Sequence, residues 1–375
     1  MLEPAEVYGA LDRRGAAFFT GVPDSLLKEL CAYISATVEP RRHVIAANEG
    51  AAVALAAGHH LATGEVGVVY LQNSGLGNAI NPLLSLADRE VYSIPMVLVI
   101  GWRGEPSVRD EPQHVKQGRV TAAMLEAMEI PHRILSPDMP EAEADVAWAV
   151  ELARTAGQPV ALLVRKGTFA PFDGPASAGE QLTREAAIEL IAGALDPADA
   201  VVATTGMTSR ELHEIRVRRG EPSRDFLTVG SMGHASAIAC AIARARPERQ
   251  VFCLDGDGAF LMHMGSVAVQ GQIGSANFKH VLLNNGRHDS VGGQPTVARD
   301  CDLTAVARAC GYATLEPVAA HAEVAAAVAR LRETAGPALL EIRIGGGARA
   351  DLGRPSGTPR ENKEAFTAFL SQDAT

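Results

Sequence analysis

Apolar residues recur along this chain in two rhythms: short continuous runs of Val, Ile, Leu and Ala, and longer stretches at helical spacing. The runs read as buried strands and the longer stretches as helices, so their alternation predicts a doubly wound α/β fold with parallel sheets. In the first half the pattern predicts a helix over residues 4–14, a strand over 16–20 and a turn at Gly21-Val22-Pro23-Asp24-Ser25. A strand at 43–47 follows, and Asn48 is placed to cap an Ala-rich helix over 49–62. Residues 66–71 and 95–100 read as further strands, with Gln72-Asn73-Ser74-Gly75 opening a helix between them. The stretch 102–118, dense in charge and histidine, reads as a long polar loop, and loops in that position are usually functional.

A strand at 160–164 closes the first half. Periodicity then stops, and Pro171, Gly174, Pro175 and Gly179 mark a linker. Two α/β domains are expected on either side, over 1–170 and 183–375, joined by residues 171–182 and with no middle domain. The second half restarts with a helix from Thr183, a strand at 200–204 and a turn at Gly206-Met207-Thr208-Ser209. Gly230-Ser231-Met232-Gly233 opens a small-residue helix through Ala243. Later signals predict helices over 303–310 and 321–332, a strand over 338–344, a Gly/Pro-rich tail and a last helix over 361–370. Thr20-Gly21 and Thr205-Gly206 each follow an early strand of their half, an echo that two domains of like topology would produce, as would chance.

Residues 253–296 read CLDGDGAFLMHMGSVAVQGQIGSANFKHVLLNNGRHDSVGGQPT. A strand at 250–254, a turn at Gly256-Asp257-Gly258, a helix and a second strand at 279–283 predict a parallel pair. Asp257 and Asn285 then emerge side by side on one sheet edge, where open α/β sheets bind ligands. A carboxylate and an amide oxygen suit a hard divalent cation that keeps other positions for phosphate and water. The glycines beside Asp257 let the backbone approach a bulky anion. Taken singly, Gly-Asp-Gly is a tight turn and Asn-Asn a strand end.

Gly-Asp-Gly followed by a double Asn about two dozen residues later resembles the metal–diphosphate motif of thiamine diphosphate enzymes. The sequel GRHDSVGGQPT is similar to the short decarboxylases of that class acting on 3-phosphonopyruvate, with the sulfopyruvate decarboxylases as nearest relatives. The resemblance covers both halves and the tail. It implies two thiamine diphosphate-binding domains, pyrimidine-binding then diphosphate-binding, with thiamine diphosphate and Mg²⁺ as cofactors. Mg²⁺ would be held by Asp257, the Asn285 side chain and the Arg287 carbonyl. The carboxyl that pairs with the cofactor's pyrimidine would be Glu49, in ANEGAAVALAAGHHLATG. By itself Glu49 reads as an acid in a helix's first turn, favourable to the dipole.

Met232, with Gly230 before it, matches the apolar residue under the bent cofactor, although a core Met is the plainer reading. Thr205, Gly206, Met207 and Thr208 resemble the diphosphate-binding turn. Gly256, Gly258 and Ala259, then His288, Ser290 and Val291, should add contacts, and Ala259 replaces a hydroxyl of many relatives. QNSGLGNAINP resembles the pocket lining and makes Asn73 and Ser74 candidates. A dinucleotide reading of GLGNAI fails, since Ile80 stands at its third glycine position.

Phosphonopyruvate carries a carboxylate, a ketone and a phosphonate, so its pocket needs cations. Candidates are Arg103, Arg109, His114 and Lys116 in the polar stretch, with His288 and Arg354. Ser25 and Asp24 join them, Asp24 standing where this class often places a proton-handling acid; Asp24, His114, His288 and Glu49 are the catalytic candidates. The implied reaction yields phosphonoacetaldehyde and CO₂, in phosphonate and antibiotic biosynthesis. An active site shared between subunits implies at least a homodimer. The alternatives are a sulfopyruvate decarboxylase, a carboligase, or a non-catalytic cofactor-binding protein.

Composition narrows the setting. The 375 residues are 47% hydrophobic but only 5% aromatic, as in Ala- and Val-rich α/β proteins. A formal net charge of −10 argues against nucleic acid as a partner, while leaving room for a local cationic pocket. Five cysteines without metal-ligand spacing suit a reducing cytoplasm. No signal segment or membrane span is expected.

Overall fold

The computed structural model describes residues 1–172 and 182–372. It divides into two compact units, Met1–Ala176 and Ser177–Thr375. Most of the linker expected at 171–182 lies outside the described residues.

The first unit is built on β1 (Phe18–Gly21), β2 (His43–Ile45), β3 (Gly67–Gln72), β4 (Met96–Gly101), β5 (His132–Ile134) and β6 (Pro159–Val164). All six run parallel in the order β2-β1-β3-β4-β6-β5. Alternate residues feed opposite cores. Val68, Tyr70, Val97 and Val99 face one layer of helices, and Val69, Leu71, Leu98 and Ile100 face the other. A sheet covered on both faces needs strands that are apolar at every position, which is why these runs show no polar alternation.

The second unit repeats the plan with β7 (Ala200–Ala203), β8 (Asp225–Leu227), β9 (Val251–Gly256), β10 (Phe278–Asn284), β11 (Ala313–Thr314) and β12 (Ala338–Arg343). Its order is β8-β7-β9-β10-β12-β11, again parallel throughout. Counted from the first strand of each unit, the two sheets have the same order. The echo between Thr20-Gly21 and Thr205-Gly206 therefore comes from equivalent strands, β1 and β7.

Local signals place most elements. Asn48 Oδ1 accepts from the Ala51 N–H at 2.9 Å and starts the helix Glu49–Thr63, which Gly64 ends in the left-handed region. The hydroxyl of Thr183 likewise caps the helix Arg184–Ala194. Two expectations need correction. The polar stretch 102–118 is not one loop, because a helix, Pro112–Ala127, begins within it. Pro112 suits a first helical turn, but the buried face is His114, Gly118, Thr121 and Leu125, so no aliphatic periodicity announces it. The turn expected at residues 206–209 is the start of a helix, Met207–Arg218, entered from Gly206 at φ 92°. Between residues 118 and 160, where the pattern predicts no element, the helix Met139–Ala156 packs against β4 and β6. No helix among the described residues is long and apolar enough to cross a membrane.

Candidate active site

Each parallel sheet delivers its strand ends to one edge, and the candidate residues collect there. In the second unit, β9 runs straight into the helix Asp257–Met262, so Asp257 stands at the strand end beside the end of β10. Its carboxyl is 2% exposed and accepts from the Thr296 hydroxyl. Burial pushes it up to about 6, although the main-chain N–H groups of Asn285 and Gly258 pull the other way. These partners are neutral donors. A buried carboxylate with no cation among its partners in the described residues is a donor suited to a divalent ion.

The two asparagines after β10 divide their labour. Asn284 is structural: its amide donates to Glu341 Oε1 at 2.9 Å and its oxygen accepts from the Gly286 N–H. Asn285 donates through Nδ2 to Asp289 Oδ2 at 2.7 Å, and its Oδ1 accepts from the Arg287 N–H at 3.0 Å. That leaves Oδ1 as the amide end with acceptor capacity to spare. The same Asp289 oxygen also receives Arg184 Nη1 at 3.0 Å and the Gly347 N–H at 2.9 Å. Arg184 is 6% exposed and is held on its other side by Glu211.

Close approaches bring further candidates together. A Cβ on Gly258 would lie 2.9 Å from the His288 ring and 3.2 Å from Met232 Cε, so these three form one wall. A Cβ on Gly206 would sit 3.7 Å from Ser290, which puts the turn ahead of Met207 and Thr208 against the segment carrying Ser290 and Val291. Burial lowers His288 to about 4, which keeps its imidazole neutral at pH 7. Cys253, Asp255 and His280 also converge, in the core behind Asp257, with His280 Nε2 3.3 Å from Asp255. No spacing in the sequence predicts that triplet, because His280 comes from the neighbouring strand.

In the first unit Glu49 is 5% exposed, and burial raises its carboxyl despite the Asn78 amide that donates to Oε2 at 2.7 Å. Gly75 packs so closely on this carboxyl that any Cβ there would collide with it. A largely desolvated carboxyl that favours its proton fits the task of sharing one with a ring nitrogen. The Asn73 side chain is engaged elsewhere: it donates to the Arg103 carbonyl at 2.8 Å and to Thr121 Oγ1 at 2.9 Å, and so fixes the exit of β4. Ser74 beside it is exposed.

Asp24, after β1, is fully buried, and Gly101 of β4 lies against it. Burial pushes its carboxyl up to about 6, opposed by the Leu26 N–H at 2.9 Å and by the charge of Arg103. Arg103 Nη1 donates to Ser25 Oγ at 2.7 Å, while its Nε donates to Asp110 Oδ2 at 2.8 Å. Burial alone would raise the Asp110 carboxyl, but Arg103 and the Glu111 and Gly104 N–H groups hold it well below the usual range. Burial lowers His114 to about 4, and its Nδ1 has no partner. Ser25, Arg103, Arg109 and Asp110 border an open cleft of about 220 Å³, together with Lys166. Lys116 lies on the exposed side of its helix and does not line that cleft.

Sequence reasoning missed Asn78, Asp110, Lys166, Asp289 and Thr296. Thr296 and Asp289 stood inside the motif stretch and Asn78 inside QNSGLGNAINP, whereas Lys166 carried no signal of its own.

Two family models match: the N-terminal binding domain of thiamine pyrophosphate enzymes over residues 5–127, and the C-terminal binding domain over residues 204–342. The chain belongs to the thiamine pyrophosphate enzymes. Within that class it is 37% identical to a phosphonopyruvate decarboxylase of Streptomyces hygroscopicus, over 99% of this chain and 95% of the relative. Its identity to a second phosphonopyruvate decarboxylase, from Streptomyces viridochromogenes, is 36% over 99% and 96% of the two chains. A sulfopyruvate decarboxylase of Methanosarcina acetivorans is 29% identical, over 69% of this chain and 70% of that protein.

The raised Asp24 carboxyl carries a stability signature. A group whose native pKa lies above its usual 3.8, here at about 6, favours the fold fully below pH 4 and loses that contribution as pH rises through 6. Asp24→Asn keeps an acceptor for the Leu26 N–H and cannot ionise. It should melt higher than the parent at pH 8, by at most ~3 kcal/mol of stability, with the advantage fading near pH 4. Melting curves at the two pH values check this; an equal difference at both would refute the assignment.

Proposed function

We propose that this protein is a thiamine diphosphate- and Mg²⁺-dependent decarboxylase that converts 3-phosphonopyruvate to phosphonoacetaldehyde and CO₂. The observation that carries it is the presence in one chain of two complementary sets of groups: the desolvated Glu49 carboxyl in the first unit, and Asp257 with Asn285 in the second. Near full-length identity to two phosphonopyruvate decarboxylases supports the substrate. The sulfopyruvate reading is weaker, because the Methanosarcina relative is only 29% identical and several other such relatives are separate subunits that each match less than half of this chain.

Thiamine diphosphate, when bound, supplies the electron sink that lets a 2-keto acid lose its carboxylate. The residues bind, orient and handle protons around it. Glu49 would hold a proton against a ring nitrogen of the pyrimidine. Asp257, Asn285 Oδ1 and the Arg287 carbonyl would hold Mg²⁺ and through it the diphosphate. The N–H groups that open the helix Met207–Arg218, behind Thr205 and Gly206, would take diphosphate oxygens, with Gly256, Gly258, Ala259 and Ser290 alongside. Met232, with Gly230 before it and His288 opposite, would support the rings. On the substrate side the bond to the carboxylate breaks, CO₂ leaves, and a proton replaces it. Asp24, with its carboxyl pushed up to about 6, can hold or release a proton at neutral pH beside Ser25, and the neutral His114 is a further candidate. The enzyme would serve phosphonate biosynthesis, including that of antibiotics, and five free cysteines suit a reducing cytoplasm.

Aldehyde formation from phosphonopyruvate, sulfopyruvate and pyruvate, with and without thiamine diphosphate and Mg²⁺, tests the reading. Cofactor-dependent turnover with phosphonopyruvate preferred is expected; preference for sulfopyruvate would move the protein to the neighbouring group. Subunit sharing makes a separate prediction. Inactive Glu49→Ala and Asp257→Ala proteins, once mixed and exchanged, should regain part of the activity, since a hybrid dimer holds one intact site. Proven exchange without recovery would sink the shared-site homodimer. Asp289 offers a third check. Its replacement by Ala removes the acceptor that orients the Asn285 amide, and should raise the Mg²⁺ concentration that half-saturates thiamine diphosphate binding by about 10- to 100-fold. Calorimetry showing an unchanged Mg²⁺ requirement would exclude that role.

A further inference from the structure

The cleft at the ends of β1, β4 and β6 contains more cationic groups than its neighbours neutralise. Arg103 is used up: Asp110 takes two of its nitrogens and Ser25 a third. Glu105, which also lines the cleft, is paired with Arg165 at 2.7 Å. Those two pairs cancel in charge. Arg109 and Lys166 remain on the rim, both exposed and, among the described residues, without an ion pair. The cleft therefore presents two uncompensated positive charges above the buried Asp24 and its neighbour Ser25. Its volume of about 220 Å³ suits a small acid, and Leu26, Trp102 and Val108 supply apolar walls that strengthen charge–charge contacts by displacing water.

From this charge balance we infer that Arg109 and Lys166 form a dianion subsite that receives the phosphonate group of the substrate. The inference rests on the proposed function for the identity of its ligand, but not for the charge count. It assigns the role to Lys166 in place of Lys116, which does not line the cleft. Arg103 becomes a positioning residue, which holds Ser25 and the loop through Asp110. The subsite also predicts a preference. A phosphonate near neutral pH carries between one and two negative charges, a sulfonate carries one, and a methyl group carries none. Two free cations discriminate in that order.

Phosphonoacetate is a suitable probe, because it carries the phosphonate and lacks the reacting ketone. Its binding to the cofactor-free full chain would be followed by calorimetry, with sulfoacetate and acetate for comparison. Arg109→Met and Lys166→Met should each weaken phosphonoacetate at least about tenfold, and together abolish it, with far smaller effects on acetate. Both residues are exposed, so circular dichroism should show the fold intact, and thiamine diphosphate should bind as before. In turnover the same variants should raise KM for phosphonopyruvate about tenfold or more while kcat changes little. Phosphonoacetate binding left intact in the double variant overturns the subsite, as does loss confined to Lys116→Met. The two proposals can fail separately. If phosphonopyruvate is not turned over but the variants still lose phosphonoacetate, the subsite stands without the reaction. If the variants turn over phosphonopyruvate normally, the reaction stands without the subsite.

Discussion

Parallel pairing imposes one constraint on which everything else in this protein depends: every strand of a sheet must end on the same edge. Loops at that edge are neighbours in space however far apart they lie in sequence. In the first unit the rule gathers the segments after β1, β4 and β6, which carry Asp24, Arg103 and Lys166. In the second it puts Asp257, after β9, beside Asn285, after β10. Sheets sealed on both faces by helices then make these edges the natural place for polar chemistry, since almost every other strand position is committed to a core.

Three carboxyl groups, Asp24, Glu49 and Asp257, sit at such edges largely desolvated, and burial raises each of them. Among the described residues, none is neutralised by a direct ion pair. The contrast with Arg184, Glu211 and Asp289 is informative, because those buried charges satisfy one another. A fold under selection for stability alone would have little reason to keep three uncompensated acids. The proton and metal roles proposed for these three residues would account for that cost.

Much of this was legible in the order of residues, for physical reasons. Asn48 announced a helix because its cap chemistry is local, and the motif around Asp257 and Asn285 was readable because the strand–helix–strand unit is contiguous. The helix Pro112–Ala127 was hidden because His, Gly and Thr occupy the face where aliphatic residues would have revealed it. Lys166 and Asn78 were hidden for another reason: their importance comes from what lies opposite them, Arg109 across a cleft and Glu49 across a helix interface. Pairing between distant segments leaves no local trace. The triplet of Cys253, Asp255 and His280 makes the same point, since adjacent strands bring it together across more than one helix.

The Asp289 carboxylate ties together three parts of the second unit that are far apart in the chain. One of its oxygens meets the amide of Asn285, the guanidinium at the start of the helix Arg184–Ala194, and the backbone of Gly347 in the tail. Arg184 closes the loop by donating to the Gly347 carbonyl at 3.1 Å. The order of the tail and the orientation of Asn285 are thus coupled terms of a single equilibrium. By thermodynamic reciprocity, whatever steadies the amide also steadies the tail, and loosening the tail is felt at the amide. Substitutions in any of the three segments should therefore combine non-additively, as members of one cooperative unit.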